Sequence, residues 1–270
     1  MITTVSADGT GVRAYDDGQG PPIVLVHPGL SDGTRCGKMA AILSDRYRVL
    51  RPDRRQYRLD LKTGAPVWVE QEVEDVLALV RAVGSPAVLY GHSSGGVVAL
   101  EALVASPSSF AGAVIFEPAA VIGPPLSGEN GEVLTRARAA MAAGRPGKAL
   151  TIFIRGSVGL PGWQAWAAGA ITTLMPRYRR LVPSQLDDLE AMDRLGVRLD
   201  AYAGIEVPTV LLGGERSPAH LAERLDAIQR VMPRAERVVL PGLDHGADLK
   251  KPGEVARVIR RLAEEVLPGA

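Results

Sequence analysis

The stretch that most narrows what this chain can fold into is Ala87 to Ala105. An apolar run of strand length, Ala87 to Tyr90, passes through Gly91-His92-Ser93-Ser94-Gly95 into a helical pattern from about Ser94 to Ala105. A strand that turns into a helix across so short a link brings the two elements very close. The residues two before and two after the centre must then be small. Gly91 and Gly95 meet that demand and leave Ser93 at the apex. Five residues of this kind can also be a Gly- and Ser-rich turn with no chemical role. The strand before and the helix after favour the sharper reading, in which the Ser93 hydroxyl projects above the sheet edge beside unpaired helix N–H groups.

The alternation of strand and helix extends to both sides. Residues 2–6 and 11–15 flank Asp8-Gly9-Thr10-Gly11, the loop of an antiparallel hairpin. After Gly20-Pro21-Pro22, the run Ile23-Val24-Leu25-Val26 reads as a strand covered on both faces. Further strands are expected at Tyr47 to Arg51 and Gly112 to Phe116. Between two of them, Val69, Val73, Val76, Leu77 and Val80 fall at helical spacing ahead of a stop at Gly84. This order predicts an α/β fold with a mostly parallel sheet and right-handed crossovers.

From about Ile122 to Ala203 the pattern is helical throughout (132–143, 147–154, 163–174 and 185–195), broken by Pro- and Gly-containing turns. Strands return at Val207 to Leu212 and Arg237 to Leu240, each followed by a helix (219–232 and 254–266). The sheet needs strands from both sides of the helical stretch, so residues 1–121 and 204–270 are expected to form one core and 122–203 an inserted helical cap. A length of 270 residues suits one such domain.

Composition limits the partners. Lys plus Arg number 31 against 30 Asp plus Glu, which gives no basic footprint for nucleic acid or an anionic membrane and favours a small-molecule partner. No stretch approaches the roughly 20 apolar residues of a membrane span. The lone Cys36, in Thr34-Arg35-Cys36-Gly37-Lys38, matches no thiol-enzyme signature and reads as a packed residue. With no internal disulfide possible and no leader pattern at Met1-Ile2-Thr3-Thr4, a cytoplasmic location is expected.

The Ser93 turn, together with His27-Pro28-Gly29-Leu30 after the strand Ile23 to Val26, resembles the α/β-hydrolase superfamily, in its serine-nucleophile branch with an inserted helical lid. The resemblance implies a nucleophile elbow at Ser93 and chemistry without a cofactor or metal. It also implies an oxyanion hole from the backbone N–H groups of Gly29 and Ser94, with Leu30 as the lesser alternative to Gly29. The family usually has His-Gly where this chain has His27-Pro28, and Pro28 has no N–H to give. His27 reads as a structural residue of that loop.

Of the four histidines, only His245, in Leu240-Pro241-Gly242-Leu243-Asp244-His245, follows the last strand where the family keeps its base. The acid departs from the pattern. Many relatives show Gly-Glu-Arg-Asp-Pro where this chain reads Gly214-Glu215-Arg216-Ser217-Pro218, and a serine cannot face an imidazolium with negative charge. Glu117, closing Ile115-Phe116-Glu117-Pro118, is the leading replacement, with Glu215, Asp244 and Asp248 as alternatives. A second departure is Asp53-Arg54-Arg55-Gln56-Tyr57-Arg58-Leu59-Asp60, which lacks the family's glycines and serine. Gln56, Tyr57 or Arg58 could reach the pocket, although solvated loop residues are commoner.

The resulting expectation is an acyl-enzyme on Ser93 formed from an ester, lactone or thioester. The alternatives are carbon–carbon bond hydrolysis, or a fold kept for small-molecule binding or cofactor-independent isomerisation or cyclisation. In the cap, Met141, Phe153, Trp163, Trp166 and Met175 could line an apolar pocket or simply pack. Oligomeric state and substrate identity are not legible.

Overall fold

A computed structural model of the protein describes residues 1–61, 67–84 and 86–267. Its elements in chain order are β1 (Ile2–Val5), β2 (Gly11–Asp17), β3 (Pro22–Val26), α1 (Gly37–Leu43), β4 (Arg48–Pro52), α2 (Val69–Val83), β5 (Ala87–His92), α3 (Ser94–Ala105) and β6 (Phe110–Phe116). The helices α4 (Glu132–Ala142), α5 (Pro146–Phe153), α6 (Gly162–Leu174), α7 (Pro176–Leu195) and α8 (Leu199–Tyr202) follow. The chain closes with β7 (Thr209–Gly214), α9 (Ala219–Val231), β8 (Glu236–Leu240), α10 (Ala247–Lys250) and α11 (Pro252–Val266).

The strands form one eight-stranded sheet in the order β1-β2-β4-β3-β5-β6-β7-β8. The two pairings that involve β2 are antiparallel, and every pairing from β4 to β8 is parallel. Continuous apolar runs such as Ile23 to Val26 are explained by cover on both faces. Val24, Val26, Leu89, Ile115 and Leu211 pack with α2, α3 and α9. Their neighbours in sequence, Ile23, Leu25, Val88, Tyr90, Phe116 and Leu212, pack with α1 and α11. Successive strand residues point to opposite faces, so a sheet buried on both sides needs every residue apolar. Gly84 ends α2 in the left-handed conformation expected of a helix stop, with φ 72°.

Five α-helices stand between β6 and β7, and a parallel bridge between Val121 and Val197 ties the start of the insertion to its end. Two sequence expectations need correction here. The short α1 escaped the periodicity reading because seven residues show too little of a repeat. Helix α7 begins at Pro176, nine residues before the expected Gln185, and runs through Pro183. Proline fits the first helical turn at Pro176. At Pro183 the lost hydrogen bond is overridden by packing, since Val182 and Leu186 on either side are buried against α4, α5 and α6.

Candidate active site

Ser93 joins β5 to α3 with φ 55° and ψ −123°, a conformation that L side chains rarely adopt. The turn is pinned from both sides. Ser93 N–H donates to the Phe116 carbonyl at 3.0 Å, and the Ser93 carbonyl accepts from Gly96 (2.9 Å), Val97 (3.3 Å) and Ala119 (3.0 Å). A Cβ at Gly91 would lie 2.8 Å from Gly96 Cα, and one at Gly95 would lie 2.8 Å from the Val26 carbonyl oxygen. Both approaches are closer than real Cβ contacts, which is why the turn needs these glycines.

Glu117 stands at the end of the neighbouring strand, also with positive φ (39°), and is buried. Its N–H continues the β6–β7 ladder to the Leu212 carbonyl at 3.0 Å. Its Oε1 accepts the Gly214 N–H at 2.7 Å, and its Oε2 lies 2.7 Å from His245 Nδ1. Burial pushes the carboxyl upward, but the His245 and Gly214 contacts more than offset it and hold the group below its ordinary value. An ionised carboxylate only accepts, so Nδ1 carries the hydrogen and the lone pair falls on Nε2.

The other three carboxylates weighed for this place are engaged elsewhere. Glu215 accepts the Gly242 N–H at 2.6 Å. Asp244 takes the Gly246 N–H at 2.9 Å and Lys250 Nζ at 2.5 Å. Asp248 receives Arg35 through Nε and one terminal nitrogen, both at 2.8 Å. Ser217 Oγ, where relatives carry the aspartate, is buried without a hydrogen-bond partner among the described residues.

His92, beside Ser93 in sequence, packs against the His245 ring. It stacks on Phe116 with ring centroids 4.5 Å apart and meets His245 edge-on at 4.6 Å. Its Nδ1 is 3.3 Å from Asp248. Burial holds the His92 imidazole below its usual value. A buried ring therefore packs edge-on against His245. The Arg35–Asp248 pair behind it spans 213 residues of sequence, a separation that no local pattern could reveal.

Gly29, Leu30 and Ser94 line the same cavity as Ser93 and His245. Neither the Gly29 nor the Ser94 N–H has a hydrogen-bond partner among the described residues. A Cβ on Gly29 would stand 2.9 Å from the Tyr57 hydroxyl and overlap Gln185. His27 holds this loop. Its Nε2 accepts the Arg54 N–H at 3.2 Å, and its Nδ1 is 2.8 Å from the Pro28 carbonyl. Burial, and then the Arg54 charge, bring His27 down to about 4, so it is neutral and structural at neutral pH.

The loop after β4 corrects the sequence reading most. Arg54, Arg55, Gln56 and Tyr57 are buried rather than solvated, and Gln56, Tyr57 and Arg58 do not line the cavity. Arg54 pairs with Glu72 at 2.5 Å and with Asp188 of α7 at 2.8 Å, and donates to Ser94 Oγ at 2.7 Å. The Tyr57 hydroxyl lies 2.7 Å from Asp188 and 3.0 Å from Gln185. Through these contacts the loop fixes Gln185 and Asp188, which do line the cavity. Cys36 is fully buried, and burial raises its thiol to about 12, far from a reactive thiolate.

The cavity holds about 840 Å³ between the sheet edge and the inserted helices. Phe153 lines it as anticipated, but Trp163 (71% exposed) and Trp166 (69%) stand on the outer face of α6. Met141 and Met175 do not line it either.

A mostly parallel sheet with a strained serine turn after a central strand, and a histidine on a carboxylate at the same sheet edge, is the arrangement of the α/β-hydrolase fold. Sequence comparison agrees with the geometry: the chain belongs to the α/β hydrolase family, which it matches over residues 23–258. It is 25% identical over 239 residues to a 2-(acetamidomethylene)succinate hydrolase from Mesorhizobium japonicum, covering 87% of this chain and 84% of that one. An α/β hydrolase from Sphaerobacter thermophilus superposes with a TM-score of 0.81 at 29% identity, covering 97% of this chain and 99% of the other. The enol-lactonase of Burkholderia xenovorans shares the fold at 21% identity and a TM-score of 0.77, over 97% and 100% of the two chains.

Proposed function

We propose that the protein is a serine hydrolase of ester-like carbonyls, with Ser93 as nucleophile, His245 as general base and Glu117 as the acid that orients it. The observation that carries this reading is the positive-φ turn at Ser93 opening onto the same cavity as a His245 ring whose Nδ1 is held by Glu117. His245 Nε2 takes the Ser93 proton as Oγ attacks the carbonyl carbon. The tetrahedral oxyanion is met by the N–H groups of Gly29 and Ser94. Collapse expels the leaving group, which takes the proton from His245, and water then attacks the acyl-enzyme by the same steps in reverse roles. The helices of residues 122–203 act as the cap that covers the acyl group.

Carboxylic esters, lactones and thioesters all fit this chemistry. The lactonase and amide-containing substrates named for the relatives are consistent with a carbonyl substrate. Passive binding fits less well, since a strained serine costs about 1–3 kcal/mol with no return in a protein that only binds. Turnover of p-nitrophenyl acetate by wild type and Ser93→Ala tests the reading. The variant should fold normally and lose at least about 10³-fold in kcat. Equal turnover by the two would remove Ser93 from the mechanism.

A further inference from the structure

The charged groups that line the cavity are nearly all matched. Arg35 is held by Asp248, Lys250 by Asp244, and Asp188 by Arg54 and Tyr57. Arg216 is unpaired among the described residues, but it is exposed, where water serves it. Arg224 is different. It projects from α9 into the cavity wall, is partly buried, and makes no hydrogen bond or ion pair among the described residues.

No carboxylate among the described residues forms an ion pair with it. Leu126, Leu189, Met192 and Leu221 line the cavity with it. Asp193 is the acid whose charge acts on it most, but that carboxylate already accepts the N–H groups of Leu126 (2.5 Å) and Ser127 (3.1 Å) and the Ser127 hydroxyl. Burial accordingly lowers the Arg224 guanidinium from its ordinary value, with Asp193 and Glu223 compensating only in part. Arginine does not shed its proton at neutral pH, so the site carries a partly desolvated positive charge that its neighbours compensate only in part. Such a charge is costly unless an anion completes it, and a guanidinium presents paired donors that match the two oxygens of a carboxylate.

We infer that Arg224 receives a carboxylate carried by the substrate, so that the hydrolase acts on monoanionic esters rather than neutral ones. Among the described residues Arg224 is the one partly buried guanidinium of the cavity without a partner, and it matches one negative charge. The inference rests on the serine-hydrolase reading of the same cavity but has its own readout.

Wild type, Arg224→Met and Arg224→Lys are compared on mono-p-nitrophenyl glutarate and on p-nitrophenyl butyrate. The readout is the ratio of kcat/KM for the anionic ester to that for the neutral one. This ratio should fall about 10- to 100-fold in Arg224→Met, mostly through KM, with partial recovery in Arg224→Lys, as expected on losing charge-assisted hydrogen bonds. A ratio unchanged within about twofold, with the neutral ester still cleaved, would overturn the role of Arg224 and leave Ser93 standing. Calorimetric titration of glutarate into Ser93→Ala, with and without Arg224→Met, needs no turnover. Glutarate binding that depends on Arg224 in an enzyme inert to both esters would uphold the carboxylate site and remove the hydrolase reading. Absence of glutarate binding in an enzyme inert to both esters would remove both.

Discussion

Ser93 and Glu117 carry positive φ on adjacent parallel strands, and each is tied by its N–H to a carbonyl of the next strand along. Conformations this rare persist only where surrounding structure over-determines them. The ladder that fixes both ends therefore also fixes the distance between Ser93 and Glu117. Glu117→Gln keeps the shape of the side chain but removes the charge that holds His245 in its Nδ1–H form and balances its imidazolium. Turnover should fall about 10²- to 10⁴-fold with little change in substrate binding. Glu215→Gln should be close to normal, since Glu215 serves only the Gly242 N–H. Steady-state kinetics on the two variants checks this, and a crippled Glu215→Gln beside a healthy Glu117→Gln would move the acid to the loop after β7. The Glu117–His245 contact was legible in the sequence because a carboxylate closing an apolar strand requires a buried partner, and position 217 offered no rival.

Among the elements, β3, β5, β6 and β7 could be read directly, because strands covered on both faces are continuous apolar runs bounded by Gly and Pro. The loop after β4 could not. Four consecutive charged or polar residues look like a solvated surface, and the partners that bury them lie up to 134 residues away on α7. The start of α7 was equally hidden, because a proline in mid-pattern is a local stop signal that only tertiary packing overrides. Asp188 and its neighbour Asp187 separate the two kinds of charge. Asp188→Ala strips a partner from buried Arg54 and from the Tyr57 hydroxyl and should cost about 2–4 kcal/mol. Asp187→Ala breaks only a surface pair with Arg138 and should cost less than about 1 kcal/mol. Urea unfolding of both variants reads the difference, and equal losses would mean that the Arg54 cluster does not hold α7 to the core.

For the whole molecule, one parallel sheet explains why residues so far apart in sequence meet. Ser93 follows β5, Glu117 follows β6 and His245 follows β8, so the same edge of the sheet gathers all three. The Gly29 loop after β3 joins them from the other side of β5. The inserted helices then roof that edge, and no helix among the described residues is long and apolar enough to cross a membrane. What the sequence could not convey is the cavity's charge. Arg224 is one arginine among many until the fold places it on the cavity without an ion-pair partner among the described residues, with Asp193 engaged by the Leu126 and Ser127 N–H groups. The central claim, that this architecture exists to make Ser93 a nucleophile, is tested most directly by intact-protein mass spectrometry after exposure to a fluorophosphonate. Wild type should gain the mass of one phosphonyl group, mapped to the peptide containing Ser93, and Ser93→Ala should gain none. An unmodified wild type, or an adduct on any other residue, would contradict it.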